Sequence, residues 1–190
     1  MTTLRIRVTF VDNGEKIYNS WDFLKKEIVV NIKGLNCDYN KLISLPDSLG
    51  NCTNLQYLDC SYNNIFLLPD LSKCQQLEIL DCENNKLISL PKSLGNCTNL
   101  EELYCNNNNL ISLPESLRKC TKLQYLWCDN NYISKMRYPE KLTSKFKLSK
   151  QYHVNYLVKR IQRAWKGYYY LQIMSDNYPY QIKKDIISFI

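Results

Sequence analysis

This 190-residue chain has one alanine (Ala164), one histidine (His153) and five glycines, and the last two scarcities each close off a class of function. With His153 alone in a basic segment and no cysteine near it in sequence, no nucleophile, base and orienter can be read together. No glycine-rich loop is written, so the usual phosphate cradle is missing. No run of 18 apolar residues occurs, and the opening MTTLRIRVTF lacks the apolar core of a signal peptide, so neither a membrane span nor a leader is expected. No two of the nine cysteines are closer than eight residues, whereas zinc sites need close pairs. Scarce alanine beside abundant Asn, Lys, Ile and Tyr points to AT-rich coding, not to a function.

What the chain does contain is one sentence written five times. In register it reads L-x-x-L-x-C-x-x-N-x-L-x-x-L-P-x-S-L-x-x-C-x-x, with copies starting at Ile32, Leu55, Leu77, Leu100 and Leu123. Successive starts differ by 23, 22, 23 and 23 residues. The short copy loses one residue between Pro69 and Leu71, in Leu68-Pro69-Asp70-Leu71-Ser72-Lys73-Cys74. Deletions belong on loops. Around the second leucine each copy alternates, as in Tyr57-Leu58-Asp59-Cys60, which places leucine and cysteine on one side of a strand and the variable residues on the other. Stacked copies then form a parallel sheet with strands roughly 4.8 Å apart. The repeated asparagines (Asn40, Asn63, Asn85, Asn108, Asn131) fall on the following turn, where an amide can satisfy unpaired backbone groups. The prolines Pro46, Pro69, Pro91 and Pro114 are expected to stop the strand register.

This pattern resembles the leucine-rich repeat family, with cysteine where the family has its third leucine. The resemblance implies an α/β solenoid of about five repeats of 22–23 residues with a parallel sheet on its concave face, over residues 32–142. Some members carry a C-terminal ubiquitin-ligase domain that uses a cysteine. No cysteine follows Cys128, so that activity does not carry over and a noncatalytic protein is expected.

The cysteines fit the repeat as core residues. Cys37, Cys60, Cys82, Cys105 and Cys128 take the third-leucine slot, and Cys52, Cys74, Cys97 and Cys120 the apolar slot before the next strand. Metal binding and ladder disulfides are the competing readings. No metal or other cofactor is expected, and reduced thiols without a leader favour a cytoplasmic protein.

Two flanks remain. In residues 1–31, Leu4–Phe10 alternates, Asp12-Asn13-Gly14 supplies a turn, and Glu15–Asn19 can return as a hairpin. Asn19 or Ser20 is then placed to cap a short helix through Trp21, Phe23 and Leu24, ending near Glu27. This segment is expected to cap the open end of the array. Residues 143–190 form a basic segment with one amphipathic helix over Gln151–Leu171 and a short second helix after Pro179.

Charge separates these parts. The array from Ile32 to Ser134 holds 11 acidic and 8 basic residues, net −3, while residues 135–190 hold 12 basic and 3 acidic, net +9. On the variable strand positions the candidate contact residues are Tyr57, Asp59, Glu78, Asp81, Glu83, Glu101, Glu102, Tyr104, Tyr125, Trp127 and Asp129, with Asp38, Tyr39 and Tyr62 beside them. Carboxylates orient a partner and aromatics supply contact area, so this concave surface suits a basic protein or peptide. Specific nucleic-acid binding is not indicated.

Within the C-terminal helix, Ile161-Gln162-Arg163-Ala164-Trp165-Lys166-Gly167 resembles the IQ motif of helices that bind calmodulin and related EF-hand proteins. Ile161, Gln162 and Gly167 match, Lys166 replaces an arginine, Trp165 offers an apolar anchor, and Leu171 departs from the final basic residue. The resemblance implies an adaptor as the alternative function. The Cys-for-Leu, Asn-rich repeats and this tail also resemble leucine-rich repeat proteins of amoeba-infecting giant DNA viruses, which implies a host cytoplasm or virion location.

Overall fold

The computed structural model describes residues 4–24 and 26–133, so the expected C-terminal helix and the IQ-like residues 161–167 lie outside the described residues. The first two strands, β1 (Ile6–Phe10) and β2 (Glu15–Tyr18), pair as the expected antiparallel hairpin. The turn closes because the Gly14 amide donates to Asp12 Oδ1 at 2.9 Å and Asn13 takes the left-handed conformation, φ 64°. Ile6 and Val8 are fully buried while Arg5 and Arg7 face water, as the alternation requires.

The helix after the hairpin departs from expectation. Residues 21–24 make a turn, and the only helix of α type among the described residues, α1, spans Lys26–Val29. Ser20 does not cap it: its hydroxyl donates to Asp22 Oδ2 at 2.9 Å and accepts from the Asp22 amide. Phe23 stacks on Tyr18 with ring centroids 4.2 Å apart and has Trp21 at 6.1 Å. Phe23 lies in the core and Trp21 packs against it, two residues apart, a spacing that a helix cannot direct to one side.

Each repeat then contributes one strand: β3 (Ile32–Asn36), β4 (Tyr57–Asp59), β5 (Ile79–Asp81), β6 (Glu102–Tyr104) and β7 (Tyr125–Trp127). These pair in parallel, and β1 adds antiparallel to β3, giving a seven-stranded sheet in the order β2-β1-β3-β4-β5-β6-β7. The register places Leu35, Leu58, Leu80, Leu103 and Leu126 in one buried column. Each such leucine stabilises the fold by about 1.5–3 kcal/mol through burial. Beyond the strands the ladder continues through cysteine, with the amides of Cys37, Cys60, Cys82 and Cys105 each donating at 2.8 Å to the carbonyl of the next repeat.

All nine cysteines are buried, and none is joined in a disulfide among the described residues. Burial pushes the thiols of Cys52 and Cys97 up to about 12 and those of Cys74 and Cys120 up to about 11. In the inner column, Cys60, Cys82 and Cys105 are raised well above the ordinary thiol value for the same reason. Such thiols pack as apolar groups.

The prolines act elsewhere than expected. The strands end well before them; Pro46, Pro91 and Pro114 instead begin one-turn 3-10 helices at Asp47–Asn51, Lys92–Asn96 and Glu115–Lys119. Their carbonyls accept the amides of Leu49, Leu94 and Leu117 at 3.0–3.1 Å. A fixed φ suits proline to the start of a helical turn. The 22-residue copy has no 3-10 helix after Pro69, so the deletion removed the residue that lets the turn wind. No helix among the described residues is long and apolar enough to cross a membrane.

Candidate functional site

The face of the sheet opposite the leucine column carries the variable residues in rows. Strand pairing aligns Gly34, Tyr57, Ile79, Glu102 and Tyr125 in one row, and Asn36, Asp59, Asp81, Tyr104 and Trp127 in the next. Two residues further on stand Asp38, Ser61, Glu83, Asn106 and Asp129. The second and third rows are tied together wherever the second supplies an acceptor: the amides of Asp38, Ser61 and Glu83 bond Asn36 Oδ1, Asp59 Oδ1 and Asp81 Oδ1.

Most of the predicted contact residues meet on this face, but their chemistry differs. Asp59 is only 7% exposed, and both its oxygens are occupied: Oδ2 accepts from Asn36 Nδ2 (2.8 Å) and Tyr57 Oη (3.1 Å), Oδ1 from the Ser61 amide and hydroxyl. It braces its neighbours and has little left to offer a partner. Glu102 accepts from the Tyr104 hydroxyl, and Glu83 Oε2 accepts from Asn106 Nδ2 at 2.7 Å. Glu78 and Glu101 stand immediately before β5 and β6, next to the first row, Glu78 exposed and Glu101 half-buried.

Asp81 lies at the centre. Burial holds its carboxyl up at about 6; the Glu83 amide opposes this, and the charges of Asp59, Glu83 and Asp38 add to the rise. Tyr104 is raised to about 12, first by its hydrogen bond to Glu102 and then by burial. Around Asp81 the aromatics stay open to solvent: Tyr57 is 36% exposed, Tyr125 48% and Trp127 50%, with Tyr104 and Trp127 rings tilted at 6.1 Å. Among the described residues no three His, Cys, Asp or Glu side chains gather as a metal site.

Tyr39 and Tyr62 fall differently from the strand positions assigned to them. They stand on the turns, immediately before the ladder asparagines, in the left-handed region with φ 52° and 51°. The same place in later repeats holds Asn84, Asn107 and Asn130, with φ 52–53°. That backbone costs most L-residues roughly 1–2 kcal/mol each, while asparagine tolerates it and a bulky ring does not. The two rings stack at 4.3 Å and 9°, remaining 66% and 42% exposed. Their stacking returns about 0.5–1.5 kcal/mol, less than the two strained positions cost. The Asn-Asn pairs at 84–85, 107–108 and 130–131 were the available sequence signal for a left-handed residue there.

Comparison with known proteins agrees with this geometry. A family pattern described as leucine-rich repeats in two copies matches residues 75–116 and 98–140, and a single leucine-rich repeat pattern matches 54–74. A leucine-rich-repeat protein of Leptospira interrogans is similar in structure, with TM-score 0.60 and 33% identity over 67% of this chain and 34% of that one. An internalin of Listeria monocytogenes is similar with TM-score 0.52 and 25% identity, covering 61% of this chain and 34% of its own. This chain thus spans about a third of the length of either protein. No curated protein matches it. The repeats at residues 54–140 match leucine-rich repeats, and the described repeats, residues 32–133, form an α/β leucine-rich-repeat solenoid.

Proposed function

We propose that this chain is a noncatalytic protein–protein interaction scaffold whose outward sheet face, the concave side of such an array, binds a basic partner. The observation that carries the reading is the set of large aromatics left open there, Tyr57, Tyr125 and Trp127, around the carboxylate of Asp81. Exposed tyrosine and tryptophan around a half-buried centre are the usual anchors of a protein interface. Acidic groups at the same place orient a partner of opposite charge. Asp59 serves this surface from beneath by fixing Tyr57 and Asn36.

Anisotropy of a labelled octapeptide of alternating arginine and lysine tests the proposal, using the full chain and its Asp81→Asn/Tyr125→Ala/Trp127→Ala variant. Binding by the variant should be at least about tenfold weaker. An acidic octapeptide, drawn to basic residues that the three substitutions leave untouched, should bind both proteins alike. Equal affinity of the basic peptide for parent and variant removes the proposal.

A further inference from the structure

The column of left-handed turn residues changes character between repeats: tyrosine at 39 and 62, asparagine at 84, 107 and 130. The backbone amides keep the column in register, Tyr39 donating to Ser61, Tyr62 to Glu83 and Asn84 to Asn106. Tyr62 therefore has a ring on one side and a short amide on the other. At 84 asparagine stands in place of a third ring, and the Tyr62 side chain is 42% exposed. The Tyr62 hydroxyl's pKa is raised, first by hydrogen bonding with Tyr39 and then by the negative charge of Glu83. A flat aromatic face beside a carboxylate, with a small residue leaving room over it, has the shape and charge of a guanidinium receptor.

Resting on the reading of this face as a basic-partner surface, we propose that the notch formed by Tyr62, Glu83 and Asn84 receives an arginine side chain of the partner. The guanidinium plane stacks on the Tyr62 ring while its N–H groups donate to Glu83, whose Oε2 is pre-positioned by Asn106 Nδ2 at 2.7 Å. Lysine fills this notch poorly, since a point charge neither stacks nor forks. The strained conformation of Tyr62 then has a use: a residue that asparagine could replace at lower backbone cost is kept for its ring.

The test compares nona-arginine with nona-lysine on the full chain. Tyr62→Asn should weaken nona-arginine about fivefold and change nona-lysine less than about twofold. Tyr62→Phe, which keeps the ring, should retain arginine binding within about twofold. The urea midpoint of Tyr62→Asn should not fall, because asparagine is the residue used at the same position in the next three repeats. If Tyr62→Asn leaves nona-arginine unchanged, or weakens both peptides equally, while Asp81→Asn/Trp127→Ala still weakens them, the notch is wrong and the face stands. If neither substitution affects either peptide, the reading of the face fails with it.

Discussion

Asn85 Nδ2 donates to the carbonyl of Cys60, 25 residues earlier, at 2.9 Å. The same amide group bonds the carbonyls of Cys82 and Glu83, and its oxygen accepts the Ile65 amide at 2.9 Å. Asn63, Asn108 and Asn131 repeat the arrangement, so one side chain per repeat closes the turn that follows each strand and joins it to the repeat before.

Asn85→Ala should therefore destabilise the chain by about 3 kcal/mol, since an unsatisfied buried polar group costs about 1–3 kcal/mol and several are left at once. Asn40→Ala, whose bonds to Arg5 are exposed, should cost less than half as much. Urea unfolding of the two variants compares them directly.

A second prediction concerns the back of the array. A Cβ on Gly50 would meet the Asp70 carbonyl at 2.1 Å, and one on Gly95 would meet that of Ser116 at 2.4 Å. Backbone cannot yield as a side-chain tip can, so Gly95→Ala should cost about 1–3 kcal/mol or more. The corresponding residue in the fourth copy is Arg118, exposed and, among the described residues, paired with Glu115 at 3.2 Å, an ion pair open to solvent. Arg118→Ala should change the unfolding midpoint negligibly.

Much of this was legible because it repeats. The period fixed which leucines and cysteines point inward, and the Asn at one place in every copy announced a shared turn. What could not be read depends on neighbours in another repeat. Asp59 and Asp81 are the same letter at the same position, yet one is saturated by Asn36, Tyr57 and Ser61 while the other keeps an oxygen for solvent or a partner. Likewise the aromatic run at Tyr18, Trp21 and Phe23 overrode local helix signals by packing on the hairpin.

The thiols give a third prediction. At pH 8 Cys52, Cys74, Cys97 and Cys120, with values raised to about 11 or 12, stay protonated and out of reach of reagent. Native protein should react with a thiol-specific disulfide orders of magnitude more slowly than protein in denaturing urea, where all nine become free to react. Rapid native labelling of Cys60 or Cys82 would show that the repeats open locally far more often than this packing allows.

The last prediction turns on Asp81. Its folded value, about 6, lies above the ordinary 3.8, so the folded state binds this proton more tightly than the unfolded state does. Ionisation is thus penalised by folding: the penalty is complete above about pH 6 and shrinks as pH falls toward 3.8. Asp81→Asn removes the charge while its amide oxygen can still accept the Glu83 N–H. Because the side chain is only partly buried, solvent screening holds the gain to about 1 kcal/mol at pH 7. The variant should be more stable than the parent at pH 7 and lose that advantage by pH 4, as measured by urea midpoints across the range. On the proposed function it should also bind a basic peptide more weakly at pH 7, which would make one carboxylate both a cost to stability and a contributor to recognition.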